Sequence, residues 1–421
     1  MSKVRIGVAG LGGIFYGWGG DSGHLPAYPR LDEAKICALC DVSQDNLDKA
    51  AFWFKRVYEE EAQRREAAGD FRRAEELRAD ADSVRLYKDY SEMLETEHLD
   101  LVDIITPVKL HKPMTIQALD KGINVMCEKP MARTWLEAME MAEAVKRSGK
   151  VFQYAENFIY SISWYNLRKF LVSGIIGEPI AILLPLAIGE PGALTASYWD
   201  PTVAGGGSLL DMSIHGITAT WFLLGFDSKP VRVKSAEPDG IGIKMPERIV
   251  DGKYRTVKAE DEAHFLVEFE RPNGWTTVFL EGSWSYRDSV ASSVIIGTKG
   301  SIEFGAPDKM TLVDHHGHRT EIPYWSPGFL HRMPWLESDG FFGELRNIVT
   351  CIVENTKSEC DERVGAESMA IAGAAYLSEM LGRKVVSLDE FKEYALQIQE
   401  KEGDRASDVL IRELTQFGGA K

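Results

Sequence analysis

Short apolar runs separated by amphipathic helical patterns fill the first third of the chain. The runs show little alternation of apolar and polar residues, which is typical of strands buried on both faces of a parallel sheet. The clearest helical pattern covers residues 135–148, and Gly149 provides its stop. Strands that alternate with helices predict a doubly wound α/β fold here. The predicted strands are Val4 to Ala9, Ala34 to Cys40, Leu99 to Ile105, Ile123 to Cys127 and Val151 to Tyr154.

The pattern changes after residue 155, where helical segments near 164–173 and 208–224 precede a group of strands. Two of these strands flank Pro272-Asn273-Gly274, which is a hairpin signal. Residues 341–417 are helical again. The predicted domains are therefore 1–154, which is α/β, and 155–421, which is α+β with a large open, mostly antiparallel sheet and a C-terminal helical tail. The later predicted strands are Val231 to Ala236, His264 to Glu270, Thr276 to Glu281, Ser292 to Ile296 and Ser301 to Phe304.

Residues 44–85 carry more charge, and are longer, than a crossover between parallel strands needs. Acidic and basic residues alternate around Gly69-Asp70, and Phe52-Trp53-Phe54 contributes to an apolar stripe. Opposite charges at helical spacing predict a helical hairpin, inserted at 52–85. A solvated projection is the simpler interpretation, and a subunit contact is the alternative.

Length, charge and cysteine content narrow the class of protein. A chain of 421 residues exceeds one typical domain, so two are expected. The net charge of -16 argues against nucleic acid or an anionic membrane as a partner. No apolar run approaches the ~18 residues of a membrane span, and no signal-peptide pattern precedes the first strand. Cys37 and Cys40 have CxxC spacing inside a predicted strand, which favours a buried, reduced pair over a metal or redox site. We therefore expect a cytoplasmic protein.

The first strand runs into a glycine-rich turn, Gly10-Leu11-Gly12-Gly13-Ile14. Glycines at a strand-to-helix turn let a pyrophosphate approach the backbone N–H groups at the helix start. Asp41 follows the second strand, where a dinucleotide fold holds the adenosine ribose. No arginine is nearby, so this carboxylate favours NAD over NADP, whose 2′-phosphate it would repel. The glycine-rich insertion 16–23 is expected either to cover cofactor or substrate or to form a surface loop.

The predicted strand Ile123 to Cys127 ends in Glu128-Lys129-Pro130. Ligands of an open α/β sheet bind just beyond the carboxyl ends of its strands, so a lysine here can reach both a cofactor and a substrate. Pro130 restricts Lys129 to extended geometry or allows a cis peptide bond. Taken alone, Glu128 and Lys129 are more simply solvated loop charges.

A second group of candidate residues follows Gly205-Gly206-Gly207, which we expect to be a flexible approach to a helix. Asp211 and His215 are four residues apart and so share one helix face. A carboxylate beside an imidazole can orient the ring and raise its basicity, as a general base requires. Two structural alternatives stay open: Ser208 with Asp211 has the spacing of a capping box, and His215 fits a buried core histidine. No third ligand is spaced nearby, so no metal site is expected.

These motifs, in this order, resemble those of the glucose–fructose oxidoreductase and inositol dehydrogenase family (Gfo/Idh/MocA). The resemblance covers residues 3–385 and is most specific in the Glu-Lys-Pro and Asp-xxx-His motifs. It implies a Rossmann domain followed by an α/β domain whose open sheet often forms dimers or tetramers. It also implies NAD(P)-dependent hydride transfer to or from a sugar or cyclic polyol. The matching motifs are Gly10-Leu11-Gly12-Gly13-Ile14, Cys40-Asp41-Val42, Thr106-Pro107 with His111, Glu128-Lys129-Pro130, and Gly205-Gly206-Gly207 through Asp211 to His215.

The resemblance further implies roles for single residues. Lys129 would contact the substrate hydroxyl and the cofactor, Asp211 would bind substrate, and His215 would be the acid/base. Asn157 and Trp199 are further expected substrate contacts. The expected cofactor contacts are Gly10, Gly12, Gly13, Ile14, Asp41, Thr106, Pro107, His111, Glu128 and Lys129. Aromatic residues that suit either stacking on a sugar face or a place in the sheet core or a subunit interface are Trp199, Trp284, Tyr286, Tyr324, Trp325 and Trp335.

The leading hypothesis is thus an NAD-dependent dehydrogenase that acts on a sugar or polyol and forms a homodimer or homotetramer through its C-terminal sheet. One alternative is a glycoside-cleaving enzyme that keeps NAD bound and oxidises the sugar transiently. Another is a non-catalytic NAD sensor. The combination of Lys129, Asp211 and His215 argues against a sensor, because a sensor needs no acid/base group.

Overall fold

The structure of the protein is a computed structural model that describes residues 3–17, 22–187, 199–238, 240–250, 253–285, 293–305, 309–323 and 340–416, with the backbone alone at 248–250 and 253–255. Outside these ranges lie 18–21 of the insertion and the candidate aromatics Tyr286, Tyr324, Trp325 and Trp335. The chain forms two compact units, each made of three separate segments, whereas the predicted domains are contiguous. The domain boundary at residue 154 stays a prediction. Unit 1 comprises Met1–Glu128, Glu140–Ser161 and Pro334–Glu362, and unit 2 comprises Lys129–Met139, Ile162–Met333 and Arg363–Lys421.

The described strands are, in chain order, β1 (Val4–Ala9), β2 (Ala34–Cys40), β3 (Arg85–Tyr87), β4 (Leu101–Ile104), β5 (Asn124–Glu128), β6 (Phe152–Ala155), β7 (Pro179–Ala187), β8 (Lys229–Ser235), β9 (Ile241–Gly242), β10 (Glu247–Val250), β11 (Lys253–Thr256), β12 (Glu262–Arg271), β13 (Gly274–Ser283), β14 (Ser293–Gly297), β15 (Gly300–Phe304), β16 (Lys309–Asp314), β17 (Arg319–Pro323) and β18 (Val386–Ser387).

The described helices are α1 (Gly13–Tyr16), α2 (His24–Ala27), α3 (Gln44–Ala67), α4 (Phe71–Ser83), α5 (Tyr90–Thr96), α6 (His111–Asp120), α7 (Trp135–Ser148), α8 (Ile162–Val172), α9 (Pro201–Ala204), α10 (Ile214–Leu224), α11 (Phe341–Glu354), α12 (Glu362–Met380), α13 (Leu388–Glu402) and α14 (Ala406–Leu414). A π turn, Leu209–Ser213, leads directly into α10. Short 3-10 turns cover Tyr28–Arg30, Val108–Leu110, Asn157–Tyr160 and Gly403–Arg405.

Six strands within the described residues form the parallel sheet of unit 1, in the order β3-β2-β1-β4-β5-β6. Val8, Ile36 and Leu101 are fully buried on these strands, which is why the strands read as continuous apolar runs. The predicted doubly wound parallel sheet is therefore confirmed. The strand order reverses between β1 and β4, and ligands of such sheets bind outside the carboxyl ends of the strands at that point.

The charged region after β2 is the helical hairpin α3–α4, as predicted, but it is not a solvated projection. Phe54 and Tyr58 of α3 and Leu77 of α4 are buried in the core of unit 1. Arg78 of α4 donates to Glu59 of α3 at 2.8 Å on the outer side. The hairpin buries one apolar face. The many charges on its outer face make the apolar pattern of the buried face hard to recognise in the sequence.

A helix from much later in the sequence completes the core of unit 1. Leu345 and Ile348 of α11 are fully buried and pack in the same apolar cluster as Ile6 of β1. The apolar periodicity predicts a helix in this stretch, but it carries no information about which core the helix joins.

The sheet of unit 2 contains ten strands in the described part of the chain, in the order β17-β16-β15-β14-β7-β13-β12-β8-β18, with β9 beside β12. The β7–β13 pair is parallel, whereas neighbours such as β12 and β13 are antiparallel. The predicted mostly antiparallel sheet is confirmed. The predicted hairpin is also confirmed, because Arg271 pairs with Gly274 across Pro272-Asn273. The strands β7, β16 and β17 are not among those predicted from the sequence.

The five cysteines are free and buried, which agrees with the predicted reduced state of Cys37 and Cys40. Among the described residues, the helices lack the combination of length and apolar character that crossing a membrane requires.

Candidate active site

The glycine-rich turn after β1 combines one strained position with two open ones. Gly10 has a φ of +94°, and a Cβ there would lie 2.6 Å from the Ile105 carbonyl oxygen, so only glycine fits. At Gly12 and Gly13 a Cβ would meet no atom of the described residues within 4 Å. The main chain is therefore open to an approaching ligand where α1 begins. Phe15, which stands where a small residue is usual, is fully buried in the core of unit 1.

Asp41 is tied to the glycine turn by its own carboxylate. Its Oδ2 accepts hydrogen bonds from the Leu11 backbone N–H at 2.9 Å and from Asn46 Nδ2 at 3.1 Å, and its Oδ1 accepts from the Ser43 backbone N–H at 2.9 Å. An ionised carboxylate offers about four acceptor positions, so capacity is left for a ribose hydroxyl. Together with the open turn, this donor and acceptor set fits a dinucleotide.

The residues after β4 are fixed by a buried histidine. His111 begins α6, is 1% exposed, and its Nε2 lies 2.8 Å from the Thr106 carbonyl oxygen. This bond restrains the Thr106-Pro107 turn beyond the end of β4. The ring of His111 therefore contacts the main chain of unit 1, and a direct cofactor contact by His111 stays a prediction.

Glu128, the last residue of β5, is buried and lies 3.0 Å from Nε2 of His24. His24 was not foreseen as a functional residue; its Nδ1 lies 2.7 Å from Asp103 of β4. Burial opposes the charged imidazole, but Asp103 and Glu128 outweigh burial and hold the pKa of His24 well above its ordinary value. Glu128 is thus a buried carboxylate with His24 as its partner, not a solvated loop charge.

Lys129 and Asp211 form a close pair within unit 2. Nζ of Lys129 donates to Oδ1 of Asp211 at 3.0 Å and to its carbonyl oxygen at 2.9 Å. The second carboxylate oxygen of Asp211 accepts from Nε1 of Trp284 at 2.9 Å. The Lys129–Pro130 peptide bond is cis. The pair combines an ammonium and an oriented carboxylate, both about nine-tenths buried.

The helix that carries Asp211 begins differently from the prediction. Residues Leu209–Ser213 form a π turn, a wider turn that is common at functional sites, and His215 follows on α10. The capping-box alternative is wrong: Ser208 makes no side-chain cap, and its buried hydroxyl has no hydrogen-bond partner among the described residues. The carboxylate of Asp211 is oriented by Lys129 and Trp284. His215 is 8% exposed.

The Gly205-Gly206-Gly207 segment is closely packed, so the expected flexible approach is wrong. Gly205 has a φ of +89°, and added Cβ atoms along the segment would overlap the Arg133 carbonyl, the Tyr376 hydroxyl and the Glu260 carbonyl. The segment can pass between these groups only because it lacks side chains.

Glu260 anchors the same segment through its side chain. Its Oε1 accepts from the backbone N–H groups of Gly207 at 2.8 Å and Leu209 at 3.2 Å, and from the hydroxyl of Tyr376 at 2.5 Å. Complete burial raises the pKa of Glu260 to about 7, against the lowering effect of these donors. No sequence motif marks Glu260 or Tyr376 as part of this site. The acidic pair Glu260-Asp261 just before a strand was the one feature of the sequence that could have pointed to Glu260.

Trp199, a predicted substrate contact, packs against Trp284, the tryptophan that bonds to Asp211. Its ring is 6% exposed and tilted against that of Trp284, with the ring centroids 6.1 Å apart. Asn157 opens the 3-10 turn after β6 in unit 1. Unit 2 therefore brings together Lys129, Asp211 and the two tryptophans, and unit 1 brings together the glycine turn and Asp41.

Two models of one protein family match the chain. The model described as "Oxidoreductase family, NAD-binding Rossmann fold" matches residues 4–156. The model described as "Oxidoreductase family, C-terminal alpha/beta domain" matches residues 168–388. The two matches follow each other in order and cover most of the sequence.

Individual proteins are more distant. D-glucoside 3-dehydrogenase of Escherichia coli (strain K12) is 26% identical over 272 residues, which are 64% of this chain and 67% of that protein. D-apiose dehydrogenase of Paraburkholderia graminis is 24% identical over 370 residues, 86% of this chain and 85% of that protein. A levoglucosan dehydrogenase solved in complex with NADH has a TM-score of 0.74 at 20% identity, over 92% of this chain and 99% of that chain. The likeness to that structure establishes the fold.

Proposed function

This chain belongs to the Gfo/Idh/MocA family of NAD-binding oxidoreductases, and we propose that it transfers a hydride between NAD and a secondary hydroxyl or keto group of a sugar, sugar derivative or cyclic polyol. The observation that carries the proposal is the buried Lys129–Asp211 pair, 3.0 Å apart. Lys129 directly follows Glu128, which ends β5 of the nucleotide-binding sheet. The relatives named D-glucoside 3-dehydrogenase and D-apiose dehydrogenase support a sugar as the substrate class.

The residues of unit 1 support NAD rather than NADP as the cofactor. The open main chain at Gly12 and Gly13 suits a pyrophosphate, and Gly10 makes the turn that exposes it. Asp41 suits the ribose hydroxyls and would repel a 2′-phosphate. Bound NAD supplies the hydride acceptor. The further cofactor contacts that we propose are Ile14, Thr106, Pro107, His111 and Glu128.

The residues of unit 2 support the handling of the hydroxyl proton. As hydride leaves a carbon, the hydroxyl on that carbon must lose its proton to a base. We assign that base to His215, on the helix that carries Asp211. Lys129 holds the reacting oxygen and stabilises the negative charge that develops on it, and Asp211 orients Lys129 and binds the substrate. Asn157 and Trp199 are proposed as further substrate contacts.

Lys129→Met tests the assignment because it removes the ammonium and keeps the length of the side chain. Purified enzyme is supplied with NAD and a panel of sugars and cyclic polyols, and NADH formation is followed by its absorbance. We expect the variant to lose at least ~100-fold in kcat/KM on every substrate that the wild type oxidises. Lys121→Met, an exposed lysine of unit 1, is the matched control and should keep full activity. Equal turnover by wild type and Lys129→Met would remove Lys129 from the mechanism.

The same panel separates the two alternative functions. A glycoside-cleaving enzyme with retained NAD would release the aglycone of a chromogenic glycoside without net formation of NADH. A non-catalytic sensor would bind NAD and turn over no member of the panel. Either result contradicts the dehydrogenase proposal while leaving NAD binding in place.

A homo-oligomer through the sheet of unit 2 is also proposed. Leu183 of β7, Phe279 of β13 and Ile296 of β14 lie on adjacent strands and are 38%, 43% and 39% exposed. Apolar side chains grouped on an exposed sheet face are typical of subunit interfaces. We expect a dimer or tetramer by light scattering, and Phe279→Glu should shift it toward the monomer. A monomeric wild type at micromolar concentration would contradict this proposal.

A cytoplasmic location completes the proposal. Five free, buried cysteines suit a reducing compartment, where thiols persist without forming disulfides. Fractionation of source cells, with the protein detected by antibody, tests this assignment; recovery outside the cytoplasm would contradict it.

A further inference from the structure

A cluster of ionisable side chains lies inside unit 1 and has no part in the proposed proton transfer. It contains His24 of α2, Asp103 of β4, Glu128 of β5 and Glu344 of α11. His24, Asp103 and Glu344 are completely buried, and Glu128 is 7% exposed. Three carboxylates and one imidazole thus share a region that water does not reach. Such a concentration of acids is costly unless protonation or positive charge compensates it.

The imidazole of His24 is held in a defined orientation. Its Nδ1 lies 2.7 Å from Oδ2 of Asp103, and that oxygen also accepts a hydrogen bond from the hydroxyl of Tyr28 at 2.6 Å. A proton on Nδ1 of His24 is therefore fixed by Asp103, which directs Nε2 toward Glu128 and Glu344. A carboxylate that holds one ring nitrogen while the other faces acidic ligands is the usual outer arrangement of a metal-bound histidine.

A proton on Nε2 of His24 can satisfy Glu128 but leaves Glu344 without a hydrogen bond from the histidine. Such a proton bonds to Oε1 of Glu128 at 3.0 Å. Oε1 of Glu344 lies 3.6 Å from the same nitrogen, too far for a hydrogen bond, and neither carboxylate oxygen of Glu344 has a hydrogen-bond partner among the described residues. Buried carboxylates are rarely left in this state. A cation placed among the three residues would bind Nε2 of His24 and Glu128 and would give Glu344 the partner that it lacks among the described residues.

We propose that His24, Glu128 and Glu344 bind a divalent transition-metal ion of the Zn²⁺ class. One ligand atom from each residue lies within 4.8 Å of the others. Tetrahedral ligands at the usual Zn–N and Zn–O lengths stand roughly 3.3 Å apart, close to the separations of 3.0 Å and 3.6 Å from His24 Nε2. Nitrogen and oxygen donors suit Zn²⁺, Mn²⁺ or Fe²⁺ better than a soft ion. The ion would join α2, β5 and α11 and so fix the carboxylate that precedes Lys129.

The test measures metal content and needs no substrate. Full-length protein is stripped with a chelator, titrated with Zn²⁺ by calorimetry, and analysed for bound metal by mass spectrometry after gel filtration. We expect one Zn²⁺ per chain and a higher unfolding temperature in the loaded protein. Glu344→Gln, which preserves size, should weaken Zn²⁺ binding by tenfold or more, and Asp103→Asn should weaken it by about tenfold through the loss of orientation.

His264→Gln is the matched control. His264 in unit 2 also stands between two carboxylates, but Glu262 lies 3.2 Å from Nε2 and Glu281 lies 3.7 Å from Nδ1, so no ring nitrogen faces two acids. This variant should bind Zn²⁺ like the wild type. Wild-type protein that takes up no Zn²⁺ would overturn the proposal whatever the variants do. Equal binding by wild type and by a Glu344→Gln variant with native circular dichroism would overturn it as well.

Discussion

Two glycine-rich turns in this protein use the same residue type for opposite reasons. In unit 1, a Cβ added at Gly12 or Gly13 would have none of the described atoms within 4 Å. In unit 2, a side chain added at Gly207 would overlap the carbonyl oxygen of Glu260. The first turn keeps its main chain accessible, and the second turn is closed by packing.

The difference shows that a glycine motif alone does not identify a ligand site. The sequence predicts a phosphate-binding turn at the first motif and a flexible approach to a helix at the second. In the structure, the first suits a phosphate group, while the second positions the π turn that carries Asp211. Substitutions at Gly12 or Gly13 should therefore affect ligand binding, and those in the second turn should affect stability.

Gly207→Ala should have the largest effect on stability. The new methyl group would collide with the backbone of Glu260, which cannot move away as a flexible side chain could. We expect the free energy of unfolding to fall by about 3 kcal/mol. Chemical denaturation followed by tryptophan fluorescence measures it. A stability loss no larger than that of Gly12→Ala would break the distinction between the two turns.

Glu260 should make the closed turn sensitive to pH. Its folded-state pKa of about 7 exceeds the ordinary value of 4.5, so the folded state keeps a proton that the unfolded state has released. Stability from this group is therefore full below pH 4.5 and is lost as pH rises through 7. The shift corresponds to a loss of about 3 kcal/mol in the free energy of unfolding.

Glu260→Gln provides the comparison for this pH effect, because glutamine does not titrate. Between about pH 4 and pH 8, the unfolding free energy of the wild type should fall by about 3 kcal/mol relative to that of the variant. Urea denaturation at a series of pH values measures it. Parallel pH profiles for the two proteins would show that Glu260 does not titrate in this range.

Gly12→Ala should affect cofactor binding with little effect on folding. Gly12 has a φ of -85°, which alanine adopts freely, and the new methyl group would lie within 4 Å of no atom in the described part of the chain. We expect stability within about 0.5 kcal/mol of the wild type. NAD should bind roughly tenfold more weakly, because the methyl group would stand where we propose that the pyrophosphate binds. NADH fluorescence titration measures the affinity; unchanged affinity would exclude this turn as the phosphate site.

The accuracy of the fold prediction followed the strength of each local pattern. β1 and β2 match their predicted bounds, because strands buried on both faces are unbroken apolar runs between turns. β17 was missed because it is largely exposed and has no alternating apolar pattern. The hairpin α3–α4 was predicted as helical, but its place in the core was not, since that depends on the surface available beneath it.

The candidate site divides in the same way. Lys129 and Asp211 were identified from their motifs, although 82 residues separate them. Trp284, which orients Asp211, lies a further 73 residues along the chain, and the sequence left it open between stacking on a sugar face and a place in the sheet core or a subunit interface. Glu260 has no motif at all. Such partners meet only through strand pairing and packing, which no local spacing encodes.

The order of residues was enough to predict the α/β class, the family, the glycine turn with Asp41, and the candidates Lys129, Asp211 and His215. These features depend on short-range spacing and side-chain chemistry, which the order of residues carries directly. The tertiary structure alone decided that Gly205-Gly206-Gly207 is packed rather than flexible, and that Asp211 is oriented by a lysine and a tryptophan. It also decided that His24, Asp103, Glu128 and Glu344 share one buried cluster, because burial and contact are properties of the folded chain.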